Sequence, residues 1–120
     1  MTETRSTLRV ASLGLSVSGV LHILAFLVAG IAPITIAFVV VGALYCGLAR
    51  GLRGGSYRVT IPVYLLMLLG SVASVGSMGS PPIPSWWWAL ILAADAVTAA
   101  ALFGYLWRGR EASAEDRAPA

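Results

Sequence analysis

Four long apolar stretches divide this chain, and the residues between them are polar or break helices. The apolar blocks run from about Leu8 to Ile31, Pro33 to Leu48, Val59 to Met78 and Trp86 to Trp107. At a helical rise of about 1.5 Å per residue, each approaches or exceeds the roughly 30 Å of a bilayer's hydrocarbon core. The sequence Gly30-Ile31-Ala32-Pro33 leaves almost no loop between the first two blocks, so they predict a tight helical hairpin. Pro33 suits the first turn of a helix, where its missing N–H has no partner to lose. Ala49 to Arg58 reads as a glycine-rich, water-facing loop with three arginines. Three prolines between Pro81 and Pro84 stop the third block. The pattern predicts an all-α membrane protein whose single domain, residues 1–107, is a four-transmembrane-helix up-down bundle. Residues 108–120, which lack apolar content, are predicted to form a disordered cytoplasmic tail.

Within the blocks, small residues recur at helical spacing and predict the faces that pack. Helix 1 carries Ala11, Gly14, Ser18, His22, Ala25 and Ala29 on one stripe, with Leu21, Leu24, Leu27 and Val28 elsewhere. Helix 3 offers Gly70, Ser74 and Ser77, and helix 4 offers Ala89, Ala93, Ala96, Ala100 and Gly104. The two predicted hairpins share composition but no motif that would mark a duplication.

Composition strengthens the membrane reading. Of the 120 residues, 58% are hydrophobic and 11% charged, too few charges to clothe a water-soluble globule of this size. All eight basic residues are arginines, and they sit at the ends of the apolar blocks rather than along a face that nucleic acid would contact. Arg5 and Arg9, then Arg50, Arg53 and Arg58, then Arg108, Arg110 and Arg117 fall on one side of the predicted membrane, and the opposite loops carry no charge. The positive-inside rule makes that side the cytoplasm and puts both termini there. The absence of lysine and the abundance of Ala and Gly point to a GC-rich bacterium, hence to its plasma (inner) membrane. Arg5 and Arg9 give the start some look of a signal peptide, but the apolar run that follows is too long and contains His22. Trp86, Trp87 and Trp88 are expected as anchors at the outer interface, with Tyr57, Tyr105 and Trp107 near the inner one.

Two side chains stand out chemically. Among the His, Asp, Glu, Lys and Arg side chains, His22 and Asp95 are those deep in the predicted spans, each about 13 to 14 Å below the outer interface by the helical rise. An aspartate at a helix centre costs about 2.5 to 3.5 kcal/mol to insert, so it needs a partner, a proton or a wet cavity. The two predict a mid-membrane His22–Asp95 hydrogen bond if helices 1 and 4 are neighbours, with Ser18 or Thr98 as a further partner. Such a pair is either a structural clip between helices or a site that relays a proton or binds a polar group. The lone Cys46 reads as a buried, inert thiol. Arg50, Arg53 and Arg58 serve as topology determinants and also suit anionic lipid headgroups. The ligands for a metal centre are too few, no cofactor is predicted, and bis-histidine haem would need a symmetric dimer. Common enzyme signatures are absent, which leans against an enzyme.

The size, four spans and inward termini resemble those of the small multidrug-resistance exporters. That family's defining glutamate in helix 1 is missing here, His22 stands in that helix instead, and the likeness is architectural only. The expected function is that of a non-enzymatic membrane subunit or scaffold, whose partners are lipids and a second copy or a larger membrane complex. An oligomeric small transporter or proton-coupled carrier using Asp95 and His22 comes next, and a quinone- or haem-handling redox accessory third.

Overall fold

A computed structural model describes residues 2–54 and 57–117, with side chains described except at 2–5, 57, 112–114 and 116. Four helices account for nearly all of these residues: α1 (Thr2–Ala29), α2 (Pro33–Arg53), α3 (Tyr57–Ser77) and α4 (Ser85–Arg117). Each contains a stretch of 20 to 27 residues long and apolar enough to span a membrane. The expected placements of the Arg5 and Tyr57 side chains and of Gly55 and Ser56 in the loop lie outside the described residues.

The connections follow from local chemistry. Gly30 adopts φ +77°, which glycine reaches without a Cβ clash, and turns the chain out of α1. Pro33 opens α2 as predicted. The Thr35 hydroxyl reaches back to accept from the Ala32 N–H at 2.8 Å, satisfying a backbone group that the short turn would otherwise leave idle. The prolines after α3 leave a turn before Ser85, whose segment begins α4.

Two helices run further than predicted. α2 continues through Arg53 instead of ending near Leu48, because Ala49 and Leu52 face the core and are buried. The expected ten-residue loop is correspondingly shorter, and Gly51 is helical and packs near Val59. α4 continues past Trp107 to Arg117 through a segment expected to lack structure. Its Glu and Ala residues favour helix, and the Trp107 indole N–H donates to Glu111 one turn on, at 3.0 Å.

α1 is the central element. It packs against both α2 and α4, α4 packs against α3, and the α2–α3 seam is the lightest of the four. The predicted stripe of α1 is the face that packs: Ala11, Gly14, Ser18, His22 and Ala25 are buried and Ala29 partly so, while Leu24, Leu27 and Val28 are exposed. Glycines set the closest approaches. A Cβ on Gly42 would lie 2.5 Å from the Gly19 carbonyl oxygen, and one on Gly19 would lie 2.9 Å from the Gly42 oxygen and from Cys46 Sγ. The α1 and α2 backbones therefore meet there, with the half-buried Cys46 beside them. Gly14 gives the same clearance to the Thr98 side chain of α4.

The alanine stripe expected to pack on α4 does not. Ala89, Ala93, Ala96 and Ala100 are exposed, whereas Trp88, Ile91, Asp95, Thr98 and Leu102 are buried along the opposite stripe. The polar pair decides the rotation: Asp95 and Thr98 share a face, and turning them inward carries the alanines out. The tryptophans divide for the same reason. Trp86 is exposed, but Trp87 and Trp88 are buried against Ala25, Ile83 and Ile91, and the Trp87 indole N–H donates to the Leu21 carbonyl of α1 at 3.1 Å.

A buried polar node ties α1 to α2 at the arginine-rich end. Ser12, fully buried, donates to the Ala49 carbonyl at 3.0 Å and accepts from Arg53 Nε at 2.9 Å, so Arg53 joins α2 to α1. Replacing Ser12 with Ala should lower stability by about 0.5 to 1.5 kcal/mol, whereas Arg50→Gln on the exposed side should change it by less than about 0.5. Equal effects in denaturant titrations of the two variants would show that the node contributes nothing specific.

Candidate functional site

Between the two apolar clusters lies a layer of polar side chains from α1, α2 and α4, with a glycine of α3 against it. The cluster at the tryptophan end gathers Ala25, Ile83, Trp87, Trp88 and Ile91; that at the arginine end includes Leu15, Ala49, Leu52, Met67 and Leu102. Asp95 of α4 stands between them with no exposed surface. Its Oδ1 accepts a 2.5 Å hydrogen bond from the Ser18 hydroxyl of α1, so the carboxyl joins the two helices whose adjacency the pairing required.

His22 is buried one turn further along α1. Its Nδ1 lies 2.7 Å from the Ser18 carbonyl oxygen, close enough to donate. Ser18 therefore stands between the two predicted partners, its hydroxyl on Asp95 and its carbonyl on His22. The direct His22–Asp95 hydrogen bond expected from depth is replaced by this bridge, because the four-residue spacing within α1 turns the imidazole onto its own helix's carbonyl. Two rings of α2 flank the imidazole, Phe38 at 4.7 Å and Tyr45 at 5.0 Å between centroids. Phe38 in turn meets Trp88 of α4 at 5.4 Å and 90°. Thr98, the other expected partner, instead donates to the Ala94 carbonyl one turn back on α4, at 2.8 Å.

The second carboxylate oxygen is the anomaly. Asp95 Oδ2 is buried and, among the described residues, has no hydrogen-bond partner. Leaving a buried acceptor idle costs about 1 to 3 kcal/mol, more if it is charged. What surrounds it is known from Gly70 of α3: a Cβ built there would lie 2.8 Å from Asp95 Oδ2 and 3.4 Å from the Tyr45 hydroxyl oxygen. The idle oxygen and the phenol thus converge on one notch that only a residue without a side chain leaves open. Ser18, Tyr45, Gly70 and Asp95 bring α1, α2, α3 and α4 to a single level. Trp88 Nε1 is the other buried side-chain atom without a partner among the described residues, two turns along α4 from Asp95.

Sequence reasoning named His22, Asp95 and Ser18 and missed Tyr45 and Phe38. An aromatic in an apolar span carries no mark of its own depth or facing, and Tyr45 gains meaning only from what lies across from it. Gly70 was legible as part of a packing seam but not as the residue that makes room beside a carboxylate. The arginines Arg50, Arg53 and Arg58 are all exposed, and Arg53 spends its Nε on Ser12. Comparison of the chain with protein-family models, curated proteins and solved structures finds no match.

Proposed function

We propose that this chain is an integral membrane protein, a four-helix up-down bundle with both termini on the cytoplasmic side of a bacterial plasma membrane. We infer that it works as a small oligomeric proton-coupled carrier in which Asp95 takes up and releases the proton. The observation that carries this reading is Asp95 Oδ2, a sealed carboxylate oxygen with no donor among the described residues, at the level where all four helices meet. A side chain kept only to accept from Ser18 has no use for a second acidic oxygen in lipid. A carboxyl that exchanges a proton needs one oxygen held and one free to change partner. Ser18 holds Oδ1 in place, and the imidazole of His22, hydrogen-bonded to the Ser18 carbonyl, stiffens the same turn of α1. Four helices enclose little space, so the substrate path would form between copies.

A second reading, a non-enzymatic membrane subunit or scaffold, draws on the Ser18–Asp95 bond itself. A buried hydrogen bond that closes α1 onto α4 is also what a structural clip would be. In either case, anionic headgroups would lie against Arg50 and Arg58 at the cytoplasmic face.

Infrared difference spectra of the protein in liposomes, taken between acid and alkaline buffer, separate the two. The carrier reading expects a carboxyl C=O band that appears and disappears with pH and belongs to Asp95. A carboxyl that stays in one state across the whole range, together with a stoichiometric protein partner on purification in mild detergent, would establish the subunit instead.

A further inference from the structure

We propose that Tyr45 is the group that passes the proton to and from Asp95 Oδ2, and that the proton arrives between α2 and α3. This deepens the proton-exchange reading and rests on it. Asp95 is approached from three sides. On α1, Ser18 already occupies Oδ1, and His22 has its Nδ1 on the Ser18 carbonyl and makes no hydrogen bond to Oδ2. On α3, the residue against Oδ2 is Gly70, which has no side chain to offer. On α2, the Tyr45 hydroxyl comes within 3.4 Å of the same point that lies 2.8 Å from Oδ2. Among the described residues, the ionisable groups around Asp95 are therefore His22 and Tyr45, and Tyr45 is the one on the side of the idle oxygen.

The packing selects the route. The α1–α2, α1–α4 and α3–α4 seams are extensive, and the α2–α3 seam is light. Tyr45 and Gly70 stand on the two lips of that seam, where separation disturbs the fewest contacts. A hydroxyl is suited to the step because it donates and accepts at one atom. A hydronium ion in the seam gives a proton to the Tyr45 oxygen, the original Tyr45 O–H bond breaks, and its hydrogen bonds to Asp95 Oδ2. Water, an intact tyrosine and a protonated carboxyl remain, and release reverses the sequence. Gly70 is required because a methyl group there would stand between donor and acceptor.

The test follows hydrogen–deuterium exchange of the Asp95 carboxyl in liposomes, read as the isotope shift of its infrared band after a jump into D2O. Tyr45→Phe keeps the ring that packs on His22 and removes only the oxygen. It should slow the exchange by about a hundredfold, the lower end of what a positioned proton-transfer group contributes, while leaving the band's amplitude unchanged. If that variant fails to fold, Gly70→Ala, which blocks the notch from α3, should slow exchange in the same way. Exchange at the wild-type rate in the folded variant would overturn the role of Tyr45. Slowing in His22→Gln with none in Tyr45→Phe would overturn it also and move the route to α1. A wild-type protein with no pH-dependent carboxyl band would overturn the proton-exchange reading itself, and this inference with it.

Discussion

Asp95→Asn is expected to leave the helices assembled while removing a single titratable proton per chain. The amide keeps an oxygen where Ser18 donates, so the α1–α4 link survives, and stability should stay within about 1 kcal/mol of wild type. The amide cannot take up or release a proton near neutral pH, so the pH-dependent carboxyl band should vanish. Proton release measured with a dye as detergent-solubilised protein is made alkaline should fall by that one proton. A structural clip predicts the same small change in stability, because the link survives as a neutral hydrogen bond, but no change in proton count. Ser18→Ala completes the comparison. It strips the partner from Oδ1 and leaves both carboxyl oxygens idle, and should cost about 1 to 3 kcal/mol. If Asp95→Asn proved more damaging to the fold than Ser18→Ala, the carboxyl's place would be in architecture and the carrier reading would be lost.

Gly42→Val should be the most destabilising substitution among the glycines of α2. Its first added carbon would lie 2.5 Å from the Gly19 carbonyl oxygen and 2.7 Å from Ile23 Cγ1, with the Ile23 backbone nitrogen at 3.1 Å. A flexible side chain can swing aside, but two of these three atoms are backbone of α1, so relief requires the helices to part. Overpacking of this kind typically costs about 1 to 3 kcal/mol, and a backbone-to-backbone seam belongs at the upper end. Gly47, five residues further along the same helix, is the internal control. A Cβ there meets nothing within 4 Å, and Gly47→Val should stay within about 0.5 kcal/mol apart from the propensity of the new residue. Unfolding in graded mixtures of mild and denaturing detergent measures both, and similar losses at the two positions would refute the close α1–α2 contact. Because α2 carries Tyr45 and Phe38, a parted seam should also loosen the rings around His22.

The tryptophan cluster shows where interfacial statistics stop being informative. Three consecutive Trp residues at the start of a span suit an aromatic belt, yet consecutive residues on a helix point about 100° apart and cannot all face one environment. Once Asp95 is inside, Trp88, two turns earlier, is inside as well, and Trp87 follows at the edge with its indole on Leu21. The same rotation set Ala89, Ala93, Ala96 and Ala100 of α4 outward. One polar residue thus overrode four small ones, because a misplaced carboxyl in apolar surroundings costs more than a lost small-residue seam.

From the sequence alone came the helical class, the four helices long and apolar enough to span a membrane, the hairpin turn at Gly30 to Pro33, the buried stripe of α1 and the choice of His22 and Asp95. These rest on local quantities: the length of an apolar run, the conformational limits of Gly and Pro, and the expense of placing an ionisable group among apolar neighbours. Tertiary structure alone decided that Ser18 stands between His22 and Asp95, that Thr98 turns back on its own helix, and that Tyr45 and Gly70 meet at the idle oxygen. Those facts depend on how far each helix is rotated and how close its neighbours come. Rotation and spacing are set jointly by all four helices, so no single segment of the chain encodes them.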